Sequence, residues 1–151
     1  MRHGGSLTGE PQYSVTRLQG PLRSILVDVV ADPNKIRFGG IGDWHDPSNG
    51  NRLVIVAELP NADMTLALAI HEIVEQAMCM SDGVRSVDVD EWDKNYTGEG
   101  EPGEADGCPY FDQHAAAIAV EKCVCETLGV DWNEYSEALG KVFNGSNTVS
   151  R

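Results

Sequence analysis

Residues 64–80 read MTLALAIHEIVEQAMCM, and the fold of this 151-residue chain turns on them. The run is apolar nearly all round, as in a helix enclosed by a core rather than one lying on a surface. Asn61 or Asp63 offers an N-cap after Pro60, and Ser81-Asp82-Gly83 offers a stop. A helix is therefore expected from about Met64 to Met80. Yet His71, Glu72 and Glu75 fall within a single turn of it. His71 and Glu75 are four apart, so their side chains share a face, about 5–6 Å apart at Cβ. Neither charge is buried cheaply without a partner or a metal.

A second helix, expected from about Phe111 to Leu128 before Gly129, repeats the pattern. It is Ala-rich and apolar, and only Lys122 and Glu126 suit solvent. His114 and Glu121 lie seven apart, two helical turns, with Ile118 between them on the same face. Two helices of buried type, each with a histidine and an in-phase glutamate, are what a helix-borne metal site requires. The plainer alternative is a core histidine hydrogen-bonded to a helix carboxylate.

Outward from these helices the chain is shorter in its elements. Ser24–Val30 (SILVDVV) and Leu53–Leu59 (LVIVAEL) are β-branched and apolar, and are expected as strands. Asp32-Pro33-Asn34 turns the chain after the first. The Gly-rich connection Phe38–Trp44 and the turn Asp46-Pro47-Ser48-Asn49-Gly50 lead to the second. A short helix is expected at Ser86–Asp93, and another from Trp132 to Phe143 capped by Asp131. Trp132 and Tyr135 on the latter read as core packing. The expectation is an α+β domain over residues 24–143, with a small antiparallel sheet of two strands, or slightly larger, on two long helices and a shorter C-terminal one. Residues 1–23 read as an extended or flexible arm, and 144–151 as a frayed tail.

Composition narrows the function. Twenty-four acids against eleven Lys and Arg give a formal charge of -13. That balance repels nucleic-acid backbone, whose binding depends on cations releasing counterions. Residues 82–106 hold nine of the acids against Arg85 and Lys94, a run expected as a solvated loop. No stretch approaches the roughly 18 apolar residues of a membrane span. The first residues, MRHGGSLTGEPQYS, lack the apolar stretch of a signal peptide. A cytoplasmic chain with reduced thiols is expected. Cys79, Cys108, Cys123 and Cys125 include no C-x-x-C pair, which excludes a zinc ribbon or knuckle.

His71-Glu72-x-x-Glu75 resembles the H-E-x-x-H helix of zinc metallopeptidases, in which two histidines hold the metal and the intervening glutamate is the general base. Glu75 replaces the second histidine here, and His114 restores a set of two histidines and one carboxylate. That set suits catalytic zinc, and by the same count non-heme Fe(II). A wider series also carries a resemblance: A-I-H-E-I-V-E at 69–75, V-D-x-W-D at 89–93, G-E-P-G-E at 100–104, P-Y at 109–110, His114, Glu121 and L-G-V-D-W at 128–132. It is similar to a family of small phage and prophage proteins, over about residues 42 to 135. The resemblance implies a phage-encoded, zincin-like protein with metal-type residues at His71, Glu72, Glu75 and His114. Glu121, Asp90 and Asp93 would then stand behind the ligands and orient them.

The resulting expectation is a zinc-dependent hydrolase of peptide or amide bonds, with a peptide or protein as substrate. His71, Glu75 and His114 would be its ligands and Glu72 its general base. Tyr110 is the nearest candidate for stabilising an oxyanion. The alternative is a non-enzymatic virion or assembly component, or an acidic inhibitor of a host protein, built around a buried His–Glu network. The His45-Asp46 doublet, expected in a turn, and Gly39-Gly40-Ile41-Gly42, which follows no strand-to-helix turn, are set aside as hydrolase and phosphate-binding motifs.

Overall fold

A computed structural model describes residues 22–45 and 50–148 of the chain. Most of the expected N-terminal arm, the turn at 46–49 and residues 149–151 lie outside the described residues. The architecture is α+β. Four α-helices accompany a three-stranded mixed sheet among the described residues.

The strands are β1 (Ser24–Val30), β2 (Gly42–His45) and β3 (Asn51–Ala57), in the order β1-β3-β2. One feature differs from expectation, and a third strand enlarges the sheet. β1 and β3 are parallel, with Val27 opposite Val54 and Val29 opposite Val56. The third strand, β2, arises within the Gly-rich connection and pairs antiparallel with β3, Trp44 lying opposite Val54. The physical reason is the crossover. Two 3-10 turns, Pro33–Lys35 and Arg37–Gly39, carry the chain past the position of β3. β2 then runs along the far side, and β3 returns into the middle. Parallel pairing needs a crossover of a dozen or more residues, and the roughly twenty between β1 and β3 supply it. The same result places His45 at the end of β2 rather than in a turn.

The central strand suits its place. Val54 and Val56 are fully buried against α1 (Ala62–Asp82), which packs chiefly on α3 (Phe111–Leu128) and over β2 and β3. β1 forms the sheet's edge, and Leu26 and Val29 remain exposed there. Asn61 caps α1, its side chain accepting from the backbone N–H of Met64 at 2.9 Å. Gly83 and Gly129 end α1 and α3 in left-handed conformations that glycine adopts without strain.

Between them, α2 (Ser86–Asn95) takes up part of the acidic run. The last helix, α4 (Trp132–Thr148), is longer than expected and includes residues assigned to a frayed tail. Its cap explains the start: Asp131 accepts from the backbone N–H groups of Asn133 and Glu134. No proline follows to stop it. None of the described helices is long and apolar enough to cross a membrane.

Candidate metal centre

The sequence of α1 forces its polar turn into the protein. Its apolar residues meet the sheet and α3, so His71, Glu72 and Glu75 are each at most 8% exposed. His114, in the first turn of α3, is equally buried, and its ring meets that of His71 edge-on with centroids 4.9 Å apart. One ligand-type atom from each of His71, Glu75 and His114 lies within 4.8 Å of the others.

The orientation of these three groups is more informative than their proximity. Glu75 Oε1 accepts from the indole Nε1–H of Trp44 on β2 at 2.9 Å. Glu75 Oε2 is thereby turned inward, 2.7 Å from His114 Nδ1 and 3.4 Å from His71 Nε2. His71 is held from behind through Nδ1, 3.1 Å from Glu121 Oε2. Glu121 Oε1 in turn accepts from the hydroxyl of Tyr135 on α4. His114 Nε2 lies 3.3 Å from Glu101 Oε2 but is off the line of a hydrogen bond, so this buried nitrogen lacks a hydrogen-bonding partner. His71 and Glu75 are thus each held through one polar atom and turn the other, with Nδ1 of His114, to a common point.

Charge in the metal-free centre is shared between acids and imidazoles. Burial opposes ionisation of Glu75, but hydrogen bonding by His114 and His71 outweighs it and holds the carboxyl down at about 2. Burial likewise acts against a charged His71, yet its contacts with Glu121 and Glu75 hold it well above the usual imidazole range. His114, opposed by burial and supported by Glu101 and Glu75, is pushed up to about 9. Glu72 behaves oppositely. Burial, and then the neighbouring Glu75, raise its carboxyl well above the ordinary range.

Two glycines shape the walls. A Cβ on Gly42, at the start of β2, would come 2.2 Å from Glu72 Oε1. One on Gly103 would come 2.5 Å from Cγ of the His114 ring. The open approach of both backbones seats these side chains.

The structure therefore brings His71, Glu72, Glu75, His114 and Glu121 together; of the two aspartates expected behind the ligands, Asp93 lines the same cavity without touching them. Asp90 pairs with Arg37, which also holds Asp43 through Nε at 2.7 Å. Asp93 accepts from the hydroxyl of Tyr110, and burial pushes its carboxyl up to about 6. Neither aspartate is hydrogen-bonded to a ligand histidine. The reason is reach: α2 presents both residues to the 3-10 turn and to the start of α3 instead. Tyr110 shares a cavity wall with the centre, but its hydroxyl proton is committed to Asp93.

Sequence reasoning missed Trp44, Glu101, Gly42 and Gly103, and read Tyr135 only as core. A usable signal existed for two of them, because buried Trp and Tyr nearly always find a partner for their N–H or O–H. The centre opens into a cavity of about 440 Å³, lined also by Gly42, Tyr110 and α4. Two imidazoles and a carboxylate, with Glu121 behind His71 and Trp44 behind Glu75, suit a divalent cation of borderline softness. No protein-family model, curated protein or solved structure matches the chain.

Proposed function

We propose that the chain is a zincin-like metal-binding protein that hydrolyses peptide or amide bonds. One observation carries the reading: His71 and Glu75 are each held from behind through one polar atom, by Glu121 and by Trp44, and turn the other to the point where His114 Nδ1 also lies. Zinc is the cation favoured by this donor set, with Fe(II) as its rival. A bound cation of this kind polarises a carbonyl and acidifies water.

The protein's own residues supply the remainder. Glu72 lines the cavity and makes no hydrogen bond among the described residues. A carboxyl so placed, with its proton affinity raised by burial, is suited to exchange protons with a reacting group. Trp44 fixes the rotamer of Glu75, and Glu121 with Tyr135 fixes the ring of His71. The resemblance of the motif series to that of small phage and prophage proteins agrees with this reading, and under it the protein would act in an infected cell.

A second reading rests on the contact of 2.7 Å between His114 and Glu75, which closes the centre without any cation. Under it the network is structural, and the acidic surface serves a virion component or an inhibitor of a host protein. Metal analysis separates the two. Protein stripped with chelator and reloaded with zinc is expected to hold one ion per chain, lost in His71→Ala. Glu72→Gln should keep the ion and lose hydrolysis of a mixed peptide library. A wild-type chain that takes up no stoichiometric metal overturns the proposal, and a fully active Glu72→Gln removes its catalytic half.

A further inference from the structure

The cavity at the metal centre extends beyond it along α4. Trp132, Ser136, Leu139, Gly140 and Phe143 line that far part, and their spacing traces one stripe of a helix. Ile118 continues the wall on α3, one helical turn, or about 6 Å, beyond His114. On α3 and α4 the large lining residues Ile118, Trp132, Leu139 and Phe143 are apolar, and stand among Glu121, Lys122 and Ser136. At the rim, the Lys122 ammonium sits 5.1 Å over the Trp132 ring.

Gly140 lies inside the 17-residue α4, where glycine lowers helix stability relative to alanine. A Cβ there would meet no atom within 4 Å, so open space lies over this point of the helix. The whole cavity, at about 440 Å³, lies within the range of small-molecule sites. Ile118 lies one turn from both His114 and Glu121, so apolar surface stands beside the polar centre within reach of the side chain next to a cleaved bond.

We propose that the substrate is an acyl or peptidyl amide with one large apolar side chain beside the cleaved bond, seated against Ile118, Leu139 and Phe143 over Gly140. This rests on the metal reading above, and the test keeps the two apart.

Zinc-loaded full-length protein is titrated calorimetrically with three metal-chelating probes: acetohydroxamate, 3-phenylpropionohydroxamate and 6-aminohexanohydroxamate. The phenyl compound is expected to bind at least about tenfold tighter than acetohydroxamate, as burial of an aromatic ring provides. Gly140→Leu should abolish that gain with zinc stoichiometry unchanged. Gly140→Ala controls for folding: it should raise the melting temperature and reduce the gain less than leucine does. Equal affinities, tightest binding of the cationic probe, or a gain that survives Gly140→Leu overturns the inference while the metal reading stands. Failure to bind zinc at all overturns both.

Discussion

Single methyl groups separate the two roles proposed within the centre. Gly103 supports a ring and Gly42 supports a flexible carboxyl, so the same added carbon has different consequences. The His114 ring is confined between Gly103 and Glu75 and can yield only by swinging Nδ1 away from Oε2. Gly103→Ala is expected to weaken zinc binding by about tenfold or more, as disturbed orientation of a ligand does. Glu72 can yield by rotating its side chain. Gly42→Ala should therefore keep zinc near the wild-type affinity while hydrolysis falls with the displaced Glu72. Competition for zinc with a chromophoric chelator, beside a peptidase assay, reads both. Equal loss of zinc in the two variants would show that Glu72 and the ligands move as one unit.

At the scale of elements, α4 is joined to the centre by one hydrogen bond. Tyr135 is fully buried, and its hydroxyl reaches Glu121, which reaches His71. Tyr135→Phe keeps the ring and its packing but leaves Glu121 Oε1 without its donor. The expected cost is about 1–3 kcal/mol in urea unfolding of the metal-free protein. Zinc affinity should fall about 10–100-fold, since His71 loses part of its support. A variant as stable as wild type, with unaltered zinc affinity, would reduce Tyr135 to a packing residue. The helices that build this relay were legible because caps, stops and apolar faces are local properties: Asn61, Gly83 and Gly129 mark ends that α1 and α3 keep. The pairing of His71 with Glu75 and Glu121 followed from helical spacing and the cost of burying charge. β2 was not legible. Gly42-Asp43-Trp44-His45 has no strand pattern of its own, and becomes a strand because β3 lies beside it. The parallel register of β1 depends equally on where the crossover delivers the chain. Asp90 and Asp93 were misplaced for a related reason: a charge run in sequence does not say that Arg37, over fifty residues away, will claim one of its members.

Over the whole molecule, the excess charge of -13 and the centre would act on a cation together. Part of the acidic run expected as plain solvated loop instead brings Glu101 and Gly103 against His114. The surrounding field favours approach of a divalent ion, and salt screens it. Protons compete for the same place. In the metal-free protein His71 and His114 are raised above the unfolded imidazole value of about 6.5. Their pairing with Glu75, Glu121 and Glu101 therefore stabilises the fold fully below that value, and the part due to His114 is lost as pH rises through about 9. Zinc requires the opposite state, because imidazole ligates only after losing its proton. The metal-free melting temperature is thus expected to fall between pH 6.5 and 9, while the increment from zinc grows across the same window. At a free zinc concentration of 100 times Kd the increment corresponds to about 2.7 kcal/mol, or about 5–10 °C for a chain of this size. Thermal melts in chelator and in zinc, at four pH values across the window, measure both trends. A zinc increment that ignores pH, or that persists in His71→Ala, would mean the ion binds the acidic surface rather than the buried centre.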